Sequence, residues 1–114
     1  MNTLVKGQVV MVELTSTEAN VQRGLRPCVV VQNNIGNKFS STLIVAPLTS
    51  RIKRDTVTHA KLYPTIENGL SVTSTALLEQ IQTISKDSVK RVLGVLNNLE
   101  MELINKAIIA SLAL

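Results

Sequence analysis

Two arginines lie three residues apart in segment 22–27, Gln-Arg-Gly-Leu-Arg-Pro, which runs directly into an apolar stretch typical of a buried strand. Pro27 prevents a helix from continuing through Arg26 and favours an extended backbone at Arg26 itself. An arginine keeps its charge at neutral pH, and its guanidinium presents a rigid fork of donors that fits a phosphate group. The segment therefore predicts a fixed cation at the start of a strand, placed to bind or to strain a phosphodiester.

The other reactive side chains are few and scattered. His59 is the only histidine and Cys28 the only cysteine, which excludes a zinc site built from Cys and His and, unless two subunits share a site, a two-histidine nuclease. The 8 acidic residues show no metal-binding spacing, and the 5 glycines are spread singly rather than in a phosphate-cradling loop. Phe39 and Tyr63 are too few for a base-stacking platform. The side chains left for chemistry are those of arginine, threonine and the amides at strand ends. Such side chains are suited to electrostatic stabilisation of a phosphorane.

Composition describes one folded domain over residues 1–114, with 45% apolar and 18% charged residues. No apolar run approaches the roughly 20 residues that span a bilayer, and the start of the chain lacks the apolar region of a signal peptide. We therefore expect no membrane association and a cytoplasmic location. Residues 1–60 carry seven Lys or Arg against three acidic residues, which accounts for the whole net charge of +4. That asymmetry indicates a face that meets a polyanion, although solvated surface charge is the open alternative.

The first two thirds of the chain predict strands and the last quarter a helix. We expect five strands, over 8–14, 26–32, 42–48, 56–62 and 76–83, with a loop over 15–25 between the first two. A turn over 33–37 is predicted with Gly36 in the left-handed region, and Pro47 places the third strand at an edge or a bulge. Ser85 is expected to cap a short helix over 86–93 that ends at Gly94.

The C-terminal segment carries the clearest helical pattern. Asn97 and Glu100 form a capping-box pair, and apolar residues follow at helical spacing to the end of the chain. Because the apolar stripe covers more than half of the helix, we expect one side to pack on the sheet and the other on a second subunit. The sequence therefore predicts a mainly β architecture, a small, strongly bent antiparallel barrel with peripheral helices.

Taken together and in order, several segments resemble the MazF/PemK/Kid toxins, the ribonuclease (mRNA interferase) halves of type II toxin–antitoxin pairs. The segments that carry the resemblance are 22–27, 30–37, 44–49, 58–59, 77–81 and 109–114. The resemblance implies an SH3-like barrel homodimer that cleaves single-stranded RNA at short sequences, with no metal ion or other cofactor. It also implies a cognate antitoxin, which we expect to be small, acidic and partly disordered.

In the family, the RNA 2′-hydroxyl attacks the adjacent phosphate and leaves a cyclic phosphate and a 5′-hydroxyl. The resemblance assigns this catalysis to Arg26 and Thr49. Arg26 would place its guanidinium on the non-bridging oxygens, where negative charge grows in the transition state. Thr49 would hydrogen-bond the same phosphate and fix the in-line geometry. Charge stabilisation suits Arg26 better than proton transfer, because an arginine side chain does not give up its proton in proteins.

Eight further residues are candidates for RNA binding. Arg23 is expected at the rim, Gln80 either supports a backbone group or orients Arg26, and His59 either lines the RNA groove or is structural. The complete set is Gln22, Arg23, Asn33, Ser50, Arg51, Lys53, His59 and Gln80. Two stretches depart from many family members: residues 19–21 are Ala-Asn-Val where Gly-Ser-Glu is usual, and Gln82 stands where an arginine is usual.

Two alternatives of other kinds remain open. A CcdB-like toxin shares the barrel but binds DNA gyrase through its C-terminal helix and would need neither Arg26 nor Thr49. A catalytically inactive RNA-binding relative would keep the fold without the cleavage.

Overall fold

The structure is a computed structural model that describes residues 3–51 and 54–114. The strands are β1 Gln8–Leu14, β2 Gly24–Val30, β3 Thr42–Thr49, β4 His59–Leu62, β5 Ser74–Leu77, β6 Gln82–Ser85 and β7 Val89–Val95. The helices are α1 Asn34–Phe39 and α2 Asn98–Leu112, and single 3₁₀ turns cover Leu78–Gln80 and Lys86–Ser88. The predicted mainly β fold with a C-terminal helix is confirmed.

The strands form one antiparallel sheet in the order β4-β5-β3-β2-β1-β7, with β6 also pairing with β3. Strand β3 pairs with β2 along one edge, whereas β6 and β5 share the other edge at residues 42–45 and 48–49. Pro47 lies between those two stretches, where the partner strand changes. The prediction of an edge strand was therefore wrong, because the missing N–H of Pro47 falls at a gap inside the sheet.

Alternating residues of β1 enter two different apolar clusters. Val9 packs in the cluster that includes Ile104 and Ala107 of α2, whereas Val10 and Val12 pack in a second cluster with Cys28. Successive side chains of a strand point to opposite faces, so the sheet is buried on both sides over its central strands. Helix α2 therefore covers one face of the sheet. Arg26 lies two residues before Cys28 in β2, so its side chain projects from the same face as that of Cys28, opposite α2.

The segment 33–37 is a helix start rather than the predicted turn. Asn33 is the N-cap of α1, with its Oδ1 accepting a hydrogen bond from the Gly36 N–H at 2.8 Å. Gly36 does not adopt a positive φ, in contrast to Gly24 at 81°. The helix is stabilised by Asn37, which is fully buried and exchanges side-chain and backbone hydrogen bonds with Gln32. This buried amide pair outweighs the turn preference of the local sequence.

The predicted fifth strand is two strands, β5 and β6, separated by the 3₁₀ turn Leu78–Gln80. The second strand begins two residues earlier than predicted, at Gly24, and the fourth begins three residues later, at His59. The break at 78–80 lets the chain leave the 48–49 end of β3 and rejoin it at 42–45. Nothing in the local apolar pattern distinguishes this break from a continuous strand.

The predicted helix over 86–93 was also wrong. Ser85 caps as expected, its Oγ accepting from the Asp87 N–H at 3.2 Å, but only one 3₁₀ turn follows before β7 begins. Pairing of β7 with β1 overrides the local helical pattern, and Gly94 lies inside that strand. A Cβ on Gly94 would lie 2.2 Å from the carbonyl oxygen of Glu67, so the glycine is required by a close backbone approach rather than by a helix end.

Helix α2 begins where the sequence predicted. Its capping box is complete, since Asn97 Oδ1 accepts from the Glu100 N–H and Glu100 Oε1 accepts from the Asn97 N–H, at 2.8 and 2.9 Å. Ala113 ends the helix in the left-handed conformation. Among the residues that the structure describes, no helix is long and apolar enough to cross a membrane.

Candidate functional site

An open polar cleft of about 350 Å³ lies at the start of β2. Three arginines reach it, from the loop before β2, from β2 itself and from the segment after β3. Its full lining is Asn20, Val21, Gln22, Arg23, Arg26 and Arg51, a set without a carboxylate. Because guanidinium groups stay charged and repel one another, a cleft lined in this way favours an anion with several acceptor oxygens.

The guanidinium of Arg26 is fixed by a backbone group of the loop. Its Nε donates to the carbonyl of Arg23 at 3.1 Å, and the side chain is half-buried, whereas Arg23 is exposed. Strand pairing places the backbone of Arg26 opposite Val12 of β1. The two terminal amino groups, which form the fork used for bidentate binding of phosphate, are not needed for this contact.

Thr49 ends β3, the strand that pairs with β2. The pairing of these two strands ends at Cys28 and Pro47, so Arg26 and Thr49 each lie two residues beyond the last pair, and Thr49 pairs with Thr75 of β5 on its other side. Thr49 is only 2% exposed, and its Oγ1 accepts a hydrogen bond from the Arg51 N–H at 3.2 Å. The hydroxyl still has its own proton to donate, and its contact with the Arg51 backbone helps to place Arg51 in the cleft.

Two glutamine side chains hold the loop before β2. Gln80 accepts from the Gln22 N–H at 2.9 Å and donates to the Asn20 carbonyl at 3.2 Å. Gln82 donates to the Gln22 carbonyl at 3.2 Å. Gln80 therefore supports loop backbone, one of the two roles predicted for it, whereas sequence reasoning missed the role of Gln82. No local pattern marks Gln82, because its partner lies 60 residues away.

His59 lies outside the cleft lining, at the start of β4. Its Nε2 is 2.9 Å from Oε2 of Glu79, and the Thr58 hydroxyl donates to the same carboxylate oxygen at 2.7 Å. Its Nδ1 is buried and has no partner among the described residues. His59 also borders an apolar groove of about 560 Å³ between β4 and α2.

The remaining candidates are spread over the surface. Asn33 is occupied as the cap of α1 beyond the far end of β2, about 20 Å along that strand from the cleft. Ser50 is exposed beside Thr49, and Arg51 lines the cleft. Lys53 lies outside the described residues. The structure thus brings together Gln22, Arg23, Arg26 and Arg51, and it adds Asn20 and Val21, which the sequence had marked only as unusual.

Cys28 continues the strand two residues beyond Arg26, and its side chain is buried. Burial raises the pKa of the Cys28 thiol from 9.0 to about 12, against the smaller opposing pull of Arg26. The side chain therefore remains a neutral thiol at physiological pH, as expected of an inert core residue. Over residues 3–51 and 54–114, no group of three or more His, Cys, Asp or Glu side chains gathers that could hold a metal ion.

Comparison with known proteins identifies the family. The sequence profile described as "PemK-like, MazF-like toxin of type II toxin-antitoxin system" matches residues 5–112. The chain belongs to this toxin family. The endoribonuclease MazF of Staphylococcus saprophyticus subsp. saprophyticus is 38% identical to this MazF-like toxin over 110 residues, which cover 96% of this chain and 91% of that protein.

Solved structures agree with the family assignment of this MazF-like toxin. An endoribonuclease in complex with its cognate antitoxin, from a mycobacterial species, is 25% identical and covers 97% of this chain and 96% of its own, with a TM-score of 0.81. MazF of Deinococcus radiodurans, 17% identical, has a TM-score of 0.84 and covers 100% of both chains, which shows the shared fold.

Proposed function

We propose that this MazF-like endoribonuclease cleaves single-stranded RNA, including mRNA, in the cleft at the start of β2. The observation that carries the proposal is the convergence of Arg23, Arg26 and Arg51 on one cleft whose lining holds no carboxylate. Three cations on one cleft suit an RNA backbone, and Arg26, whose guanidinium is held by a hydrogen bond, suits the charge that develops on a phosphate during transesterification. The match to an endoribonuclease at 38% identity supports the reaction class.

In the proposed reaction, the 2′-hydroxyl oxygen loses its proton to solvent water and forms a bond to the adjacent phosphorus, while the bond to the 5′-oxygen breaks. The departing 5′-oxygen takes up a proton from solvent, so the products are a cyclic phosphate and a 5′-hydroxyl, and no metal ion takes part. Arg26, which is anchored through Nε, directs its terminal amino groups to the non-bridging oxygens. Arg23 and Arg51 bind the flanking phosphates, which positions the strand without reading its sequence.

Thr49 has two alternative roles in this scheme. Its hydroxyl donates to the scissile phosphate, as the family resemblance implies, or it acts only through its hydrogen bond to the Arg51 backbone. Thr49 is 2% exposed and is not among the residues that line the cleft, so direct contact requires a local rearrangement when RNA binds. We propose the direct contact.

The test of the proposed function is incubation of the purified protein with a long RNA in EDTA, followed by sequencing of the new 5′ ends. Discrete fragments with 5′-hydroxyl ends at one short sequence are expected, and Arg26→Ala should abolish them. Intact RNA with the parent protein would contradict the proposal and favour a gyrase-binding toxin or an inactive relative. A purified gyrase supercoiling assay and a gel-shift assay with RNA then separate those two.

We further propose that the toxin is a homodimer and acts in the cytoplasm, where its mRNA substrate is found. Leu103 and Ile109 of α2 are 49% and 51% exposed beside the apolar groove between β4 and α2. A second copy of the chain is the proposed cover for this surface, because isolated soluble chains rarely expose such a patch. The arginine-lined cleft suits an acidic, partly disordered antitoxin segment, and a mycobacterial neighbour is known with its cognate antitoxin.

A further inference from the structure

We propose that Gln80 and Gln82 are positioning residues that fix the guanidinium of Arg26 through the backbone of the loop before β2. This inference rests on the proposed function, since it concerns the same cleft. Neither glutamine touches Arg26 directly. Their effect passes through Gln22 and then through the carbonyl of Arg23.

The first step is the attachment of the loop. Both backbone groups of Gln22 are bonded by side chains: its N–H donates to Gln80 and its carbonyl accepts from Gln82. The second amide atom of Gln80 reaches the carbonyl of Asn20. Two amide side chains thus replace the backbone ladder that a paired strand would supply, and they fix three backbone groups within three consecutive residues.

The loop before β2 has few other side-chain hydrogen bonds to its backbone in the part of the chain that the structure describes. Among the described residues, the hydrogen bond from the Glu18 N–H to the Ser16 hydroxyl is internal to the loop. Asn20 adopts the left-handed region at a φ of 66°, which asparagine tolerates better than most residues but which costs free energy. The path of the loop therefore depends on contacts that hold it from outside, and the two glutamines supply them.

The second step leads to the reacting group. Gln22 directly precedes Arg23 in the chain. The backbone carbonyl of Arg23 accepts the hydrogen bond from Nε of Arg26. A loop that is free to move would take this carbonyl with it and release the guanidinium to other rotamers. Loss of orientation at a group that stabilises the transition state lowers kcat more than it weakens substrate binding. The two glutamines should therefore act mainly on kcat.

Each hydrogen bond of the two glutamines can be removed or kept by a particular substitution. Gln82 acts only as a donor, so Gln82→Met removes the contact at similar size, and Gln82→Arg keeps a donor for the Gln22 carbonyl. Gln80 uses both amide atoms, so Gln80→Met removes both bonds, whereas Gln80→Glu keeps the acceptor for the Gln22 N–H and loses the donor. Thr83→Ala, at the exposed position of β6 next to Gln82, is the matched control.

The first measurement is amide hydrogen exchange, which needs no RNA. In the parent protein the Gln22 amide should be protected, and Gln80→Met should speed its exchange by about tenfold or more. Gln80→Glu and Thr83→Ala should leave it protected, and the amide of Val29 in the core should be unchanged in every variant. If the Gln22 amide exchanges at the parent rate in Gln80→Met, the proposed attachment of the loop is wrong. If the Val29 amide also exchanges faster, the variant unfolds more readily as a whole, and the proposed attachment is again wrong.

The second measurement is the rate of cleavage of a short RNA over a range of concentrations up to saturation, which gives kcat and KM separately. Gln82→Met should lower kcat by about tenfold with a smaller change in KM, and Gln82→Arg should restore most of it. In an Arg26→Lys background, Gln82→Met should have no further effect on kcat, because a lysine side chain has no Nε–H contact to lose. A kcat unchanged by Gln82→Met, or an equal loss in both backgrounds, would overturn the positioning role. If the parent protein cleaves no RNA, the proposed function fails, while hydrogen exchange still decides whether the loop is attached as proposed.

Discussion

The Nε–H of Arg26 donates to the backbone carbonyl of Arg23 at 3.1 Å. This contact gives the two arginines of the 22–27 segment different roles, because the backbone of one orients the side chain of the other. It holds the guanidinium by one edge, so that the fork of terminal amino groups can meet a phosphate. It also explains how a loop of irregular structure can orient a charged side chain that β2 carries.

Replacement of Arg26 tests the charge stabilisation directly. Arg26→Ala should lower kcat by at least about 10³-fold, and Arg26→Lys, which keeps the charge but loses the fork, by about 10²-fold. The rates are measured with a fluorescent RNA in EDTA. Arg91→Ala, which removes an exposed arginine of β7, is the matched control and should cleave at the parent rate. Equal rates for Arg26→Ala and the control would remove Arg26 from the mechanism.

Thr49 is tested by a pair of nearly isosteric changes. Thr49→Val removes the hydroxyl from a buried position and should lower kcat by about 10²-fold, whereas Thr49→Ser keeps it and should cost much less. Chemical denaturation of both variants measures the separate loss of stability. If Thr49→Val is destabilised but cleaves at the parent kcat, the hydroxyl serves the Arg51 backbone and does not contact the phosphate.

Arg51 should contribute to RNA binding through its charge. Arg51→Ala should raise KM, and the slope of log KM against log salt concentration should fall by about 0.7 if one phosphate contact is lost. The kcat should change far less than in Arg26→Ala. The same slope with and without Arg51 would show that this side chain does not bind the RNA backbone.

The buried pair Gln32 and Asn37 should be important for stability rather than for cleavage. Asn37→Ala removes the partner of the Gln32 carbonyl and leaves the Gln32 amide with only its bond to the Thr42 carbonyl, so it should lower the free energy of unfolding by about 1–3 kcal/mol. Urea denaturation measures the loss, and Lys38→Ala, at the exposed neighbouring position, is the control. Equal stability of the two variants would contradict a structural role for the pair.

The raised pKa of the Cys28 thiol predicts that the free energy of unfolding falls at alkaline pH. Its pKa is raised from 9.0 to about 12 in the folded protein, so between these values the unfolded chain releases a proton that the folded chain keeps. The stabilisation is complete below about pH 9 and is lost as the pH rises towards 12. Cys28→Ala should flatten this part of the curve of unfolding free energy against pH. An unaltered slope would show that the thiol titrates normally in the folded state.

Local chemistry was enough to predict some elements from the sequence. Pro27 fixes the start of the arginine-bearing strand to within two residues, and Asn97 with Glu100 marks the start of α2, because capping and proline geometry act over a few residues. The arginine–proline segment itself marked Arg26 as a cation placed for a phosphate, Arg51 was among the candidates for RNA binding, and the structure places both in the cleft.

Other features depend on partners far along the chain. The segment after Ser85 suits a helix by pattern, but its pairing with β1, more than 70 residues earlier, makes it a strand. The break between β5 and β6 follows from the two stretches of β3 with which they pair. The contact of Gln82 with Gln22 is of the same kind, since no local rule identifies two residues that meet only after the sheet has formed.

The attachment at residues 20–22 divides the loop into two parts with different freedom to change. With the attachment as proposed, substitutions, insertions or deletions over residues 15–19 should leave the Arg23 carbonyl in place, because the bonded residues 20–22 follow them. That part of the loop can therefore change in length and sequence without rebuilding the group that carries the proposed reaction.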